Sequence, residues 1–194
     1  MKKSRFIFEN HESPQAGCFL LSDPFEGDAY FERSVVYLCQ YDDDSVFGFV
    51  LNNPLNLTLG DVLEASEFSN FPLHVGGPVA KNQLFFLHRI GHKIPHSFPC
   101  GNGIFFSGDF DALTEYHQQT PIPESELRFF VGYSGWDNGQ LEKEIENRSW
   151  IAVSNLSTDY IFQKTTSNLW KECMDAQGSK FKIIARFPKN PNDN

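Results

Sequence analysis

What most restricts the fold of this chain is a succession of apolar runs of strand length, joined by short connections with few helical stretches between them. "GCFLL", "SVVYLCQY", "VFGFVLN", "LFFLH", "GIFFSG", "RFFVG", "WIAVS" and "FKIIARF" follow one another between Gly17 and Phe187. Runs of this length, alternating or continuous and rich in aromatic and β-branched residues, form strands. A parallel βαβ repeat needs a helix after nearly every strand, and that pattern is missing. The expectation is an α+β domain with a mixed, mainly antiparallel sheet that curls on itself. "DDDS" between two runs predicts a hairpin from Val35 to Asn52.

Helix signals are fewer. Thr58, with Asp61 three residues on, is a weak capping box opening "TLGDVLEA". Ser107 and Asp109 precede "FDALTEYH", where Phe110, Leu113 and His117 share a face. Ser167 is placed to cap "NLWKECMDAQ", and Gly178 to stop it. In "VGYSGWDNGQLEKEI" the strand is expected to end in a Gly-rich knot that leads into a helix. There Gly132, Gly135 and Gly139 allow positive φ and Asp137 or Asn138 caps. Leu141 and Ile145 face inward, Glu144 pairs with Arg148, and Trp136 and Trp150 bracket the helix.

The 194 residues suit one domain, taken as 17–187 after a lead-in of 1–16 and before a solvated tail of 188–194. With 20 Phe and 3 Trp a packed interior is easily supplied. No apolar run approaches the ~20 residues of a membrane helix. "MKKSRFIFENHESP" lacks a sustained apolar stretch and is not read as a secretory signal, so the cytoplasm is expected. Four cysteines without a CxxC pair suit reduced, mostly buried thiols. Net charge is −9, with 16 basic residues scattered among 25 acidic ones, which disfavours duplex DNA.

Each candidate site has a plain structural counterpart. Ser134 resembles a nucleophile elbow only superficially, because Trp136 stands where that turn requires glycine. Gln140 and Glu144 share a face beside Trp136 and suit a cleft wall. Gly76, Gly77 and Pro78 read either as a tight turn or as an anion-binding nest helped by Lys81 and Arg89. His88, His92, His96 and Cys100 recur every four residues, but Gly91, Pro95 and Pro99 break any helix that would align them. They are read as solvated loop histidines, with no metal. Asn52 and Pro54 end a strand, either turning the chain or facing a ligand.

Taken in order, "FLLSDPFEGDAYFERSVVYL", "GFVLNNP", "HVGGPV…LFFLH" and "GYSGWDNGQLEKEI…SWIAVS" resemble the YqgE/AlgH family of bacterial proteins. The likeness spans roughly Gly17 to Gly178. It implies a compact α+β fold with a bifurcated, coiled sheet in the bacterial cytoplasm. One branch of that family is called a transcriptional regulator of alginate synthesis. Three departures bear on chemistry. Asn53 stands where relatives often carry a basic residue, Tyr41 where they often have His, and Ser134 where they often have Ala.

The leading expectation is a non-catalytic binding or regulatory module without a cofactor. Its cleft would gather Arg33, Asn52, Pro54, Gly76, Gly77, Pro78, His88, Trp136, Gln140 and Glu144 around a small molecule or protein partner. The alternatives are a hydrolase of small anionic substrates, with His88 as base and Arg33 or Lys81 holding charge, and a regulator acting through protein partners or DNA. A protein partner would need an exposed apolar patch, which a homodimer could also cover.

Overall fold

The computed structural model describes residues 12–24, 29–64 and 66–187. Most of the expected lead-in and the whole tail 188–194 lie outside the described residues. β1 (Phe19–Ser22), β2 (Val35–Tyr41) and β3 (Val46–Val50) form an antiparallel meander, extended beyond β1 by β10 (Trp150–Val153). The expected hairpin closes as an Asx turn, with the Asp42 carboxylate accepting from the N–H groups of Asp44 and Ser45. Side chains alternate across these strands. Phe19, Leu21, Val35, Tyr37 and Ile151 enter one core, and Leu20, Val36, Leu38 and Trp150 enter another. The first core is completed by α3 (Leu169–Ala176) and α4 (Ser179–Ile184), the second by α2 (Gln140–Glu146). Burial on both faces is why these strands read as continuous apolar runs.

The rest of the sheet comprises β4 (Pro54–Thr58), β5 (Pro72–Val75), β6 (Val79–His88) and the two-residue strands β7 (Phe98–Pro99) and β8 (Phe105–Phe106). With α1 (Phe110–Gln119) they enclose a third core that includes Leu73, Phe86 and Leu113. The long β9 (Leu127–Trp136) belongs to both halves. Its first part runs parallel to β5 from Leu73↔Phe129 to Val75↔Val131, and its last part pairs antiparallel with β3 from Gly48↔Ser134 to Val46↔Trp136. β6 lies antiparallel along the opposite side. The sheet is therefore mixed, mainly antiparallel, and forked at Gly132, whose φ is 69°.

At the fork the β5–β6 connection crosses β9 at backbone contact. A Cβ on Gly77 would lie 2.2 Å from the carbonyl carbon and oxygen of Tyr133, and one on Gly76 would lie 2.4 Å from the Gly132 oxygen. Gly76 donates its N–H to Val131 O and accepts from Val50 N–H and the Ser134 hydroxyl. That N–H is thereby committed to β9.

Several local expectations change. "FKIIARF" is helical, because Phe181, Ile184 and Ala185 share the face that meets the first core while Ile183 stays exposed. Gly178, at φ 105°, links α3 to α4 rather than only ending a helix. Asn168 holds the N-cap position expected for Ser167. The Thr58–Asp61 box forms but opens only one 3-10 turn, since the Gly60 N–H is tied to Ser69 O. The strand assigned to "RFFVG" continues through the knot to Trp136, and among its glycines Gly135 does not use positive φ. Among the described residues no helix is long and apolar enough to cross a membrane.

Two outcomes follow for stability. Gly77→Ala forces backbone apart and should cost about 3 kcal/mol in chemical denaturation. Gly139→Ala, at φ 72° with nothing within 4 Å of the new Cβ, should cost only about 1 kcal/mol. Equal losses would count against the crossing as the tight point. The second outcome concerns pH. His74 on β5 and His88 on β6 are 3% and 0% exposed, and burial holds both below the usual imidazole range. His74 sits at about 3, with the Arg128 charge adding to the effect of burial. The unfolded chain gains its proton near 6.5, which the folded chain refuses, so stability is full above that value and falls as pH drops toward 3. His74 alone contributes a slope of roughly 1.4 kcal/mol per pH unit. Urea melts should show a shallower decline for His74→Gln than for wild type, and identical slopes would refute this assignment.

Candidate functional site

The knot places one carboxylate against two indoles. Gly139 is in the left-handed conformation and starts α2, and the Gln140 side chain closes the turn by accepting from the Asp137 N–H at 2.9 Å. The Gln140 amide then donates to Glu144 Oε1 at 2.8 Å. Glu144 Oε2 accepts from Trp136 Nε1, at the end of β9, and from Trp150 Nε1, at the start of β10, each at 2.8 Å. The indole rings meet edge to face with centroids 6.0 Å apart, and Phe31 meets Trp150 in the same manner at 5.4 Å. Buried indole N–H groups require acceptors, and here one carboxylate oxygen serves both. This replaces the expected Glu144–Arg148 pair, for Arg148 lies beyond the end of α2, exposed and at φ 66°.

Phe31, Pro78, Trp136, Gln140, Glu144 and Trp150 line a cleft of about 290 Å³. Among the described residues its lining carries one acid and no base. An ionised carboxylate offers about four acceptor positions. The three bonds above leave Glu144 room for a further donor. The hairpin is tied to the same helix by Tyr41, whose hydroxyl donates to Glu142 and is pushed up to about 12 by that carboxylate.

The other residues expected in a shared cleft are dispersed. Asn52 accepts from Val35 N–H and donates to Arg33 O, both at 2.8 Å, so its amide extends the sheet. The Arg33 guanidinium lies 5.3 Å over the Trp170 ring and bonds the Phe187 carbonyl, and Arg33 is not in the lining of the Glu144 cleft. Gly76 and Gly77 support the cleft only by placing Pro78. Pro54 borders a different cavity, shared with His74 and Arg128. His88 is fully buried, not a solvated loop residue, with Nε2 within 2.9 Å of the Ser107 carbonyl and 3.1 Å of the Ser97 hydroxyl. It cannot serve this cleft as a base. Lys81 stacks over Tyr30 and Arg89 pairs with Asp159 at 2.7 Å. The buried Ser134 hydroxyl is bound to Gly76 O.

Among the described residues no group of three or more His, Cys, Asp or Glu assembles as a metal would need. The four cysteines are free and buried, and burial pushes the Cys18 thiol up to about 11 and that of Cys173 up to about 12. Sequence reasoning missed Phe31 and Trp150 as lining residues, although both sit in the quoted motifs. It also missed His74 and Arg128. Their available signal was a basic residue inside an apolar strand run, which burial makes unusual.

An AlgH-like family model matches residues 19–182. A UPF0301 protein of Bacteroides fragilis is 38% identical over 97% of this chain and 95% of its own length. Another, from Parabacteroides distasonis, is 38% identical over 95% of this chain and 94% of its own. Among solved structures, a Corynebacterium diphtheriae protein superposes with a TM-score of 0.77 at 21% identity, covering 96% of this chain and all of that one. The AlgH protein of Pseudomonas aeruginosa superposes with a TM-score of 0.70 at 24% identity over 93% and 98% of the two chains. These two structures share the fold, and the sequence match over nearly the whole length settles kinship: the chain belongs to the AlgH-like family.

Proposed function

We propose that residues 17–187 act as a non-catalytic binding module in the cytoplasm, and that the Glu144 cleft is where it binds. The ligand class is a small molecule carrying an ammonium or guanidinium group beside a flat or apolar portion. The observation that carries this reading is the Glu144 carboxylate, held by two indoles and an amide with no cation among the described residues of the cleft lining. A cation over an aromatic face gains roughly 0.5–2 kcal/mol, and a carboxylate supplies its counter-charge. A cleft lined, among the described residues, by one acid and no base repels an anion, which argues against placing a hydrolase of anionic substrates here. The volume lies at the lower edge of the ~300–1,000 Å³ usual for ligand pockets, which suits a compact ligand.

The test is ligand-observed NMR with a set of aromatic amines, guanidines and matched aromatic carboxylates, followed by tryptophan fluorescence titration. The cationic compounds should bind and the carboxylates should not. Gln140→Ala should weaken binding about five-fold, the worth of one hydrogen bond near 1 kcal/mol. Glu144→Gln keeps acceptors for the indoles and should abolish the preference for cations. Binding that ignores both substitutions, or carboxylates that bind as well as amines, would overturn the reading.

A further inference from the structure

A second cavity, of about 180 Å³, lies between β4, β5 and the start of β9, bordered by Pro54, His74, Glu124, Arg128 and Lys164. Arg128 is the anomaly in it. Its residue is 5% exposed, and among the described residues its guanidinium donates to the main-chain carbonyls of Leu51, at 3.3 Å, and Gln163. Burial pulls it down to about 10 from the ordinary arginine value, and the Glu124 charge only partly offsets that. Charged groups this buried are ordinarily matched by an opposite charge. The acid in the lining, Glu124, is instead held by Lys164 at 3.3 Å on the exposed rim. His74 borders the same space, and its Nδ1 has no hydrogen-bond partner. Burial keeps this ring neutral near pH 7, so it adds no charge to the lining. The lining thus holds two cations against one acid in a chain whose formal net charge is −9.

We propose that this cavity binds an oxyanion, the carboxylate or phosphate group of a small solute, against the Arg128 guanidinium. An arginine fork presents paired donors that match either group, and a ligand oxyanion supplies a counter-charge in direct contact, which Glu124 does not. The space is smaller than the ~300 Å³ at which pockets for whole organic ligands begin, so it takes one such group rather than an entire nucleotide. The Lys164–Glu124 pair stands at the mouth. Glu124 repels an arriving anion while Lys164 attracts it, so the pair sets the affinity. This site is separate from the Glu144 cleft and does not depend on it.

Amide shifts of Val75, Leu127 and Arg128 in 1H–15N NMR, read during titration with sodium phosphate or sodium acetate against sodium chloride at equal ionic strength, provide the test. Saturable shifts with phosphate or acetate but not chloride are expected, and the stronger of the two identifies the preferred group. Glu124→Gln should tighten the apparent Kd severalfold and Lys164→Ala should weaken it severalfold, both being rim changes that leave the fold intact. Arg128→Lys, if it folds, should bind more weakly because the fork is lost. Should that variant not fold, the two rim variants decide. Gln140→Ala should leave these titrations unchanged, which separates this site from the Glu144 cleft. Shifts that follow ionic strength alone, or rim variants that bind as wild type does, would overturn the proposal.

Discussion

The backbone crossing of Gly76 and Gly77 over Gly132 and Tyr133 is the contact on which the rest of the molecule depends. β9 has a parallel neighbour before Gly132 and an antiparallel one after it, and the connection between β5 and β6 must pass the point where they change over. Only a chain without Cβ atoms fits there. The Gly76 carbonyl also accepts from Val50 and Ser134, so β3, β5 and β9 are held together at one peptide. Two residues on, Pro78 reaches the wall of the Glu144 cleft. Two residues back, His74 borders the Arg128 cavity.

Both cavities follow one chemical plan with opposite signs. Glu144 is held by two indoles and an amide, Arg128 by two main-chain carbonyls. Neutral dipoles orient a charged group and contribute about 1.5–3 kcal/mol per bond without cancelling its charge. The exposed pairs Arg89–Asp159 and Lys164–Glu124 contrast with this, since solvent screens both partners.

Legibility along the chain follows how local each cause is. The Val35–Asn52 hairpin was readable because "DDDS" closes its own turn through the Asp42 side chain, and α1 because Asp109 caps it in place. α4 was misread because its apolar run could serve either period. The core that selects Phe181 and Ile184 comes from distant strands. β4 is not legible as a run because it is short, begins with proline and pairs with β5, whose own parallel partner β9 is distant in the chain. Of the residues expected to share one cleft, Pro78, Trp136, Gln140 and Glu144 converge, whereas His88, Asn52 and Arg33 are taken up by internal bonds or stacking.

By itself the order of apolar runs, turns and glycines determined the α+β class, the mainly antiparallel sheet and the family, because these depend on neighbours within a few residues and on motifs kept whole. Which charges would be left without a counter-ion was decided only in three dimensions. Trp136 and Trp150 meet Glu144 from two different strands, and Arg128 bonds main-chain carbonyls while Glu124 bonds Lys164, forty residues along the chain. Electrostatic pairing depends on distance in space, and the fork of the sheet sets those distances.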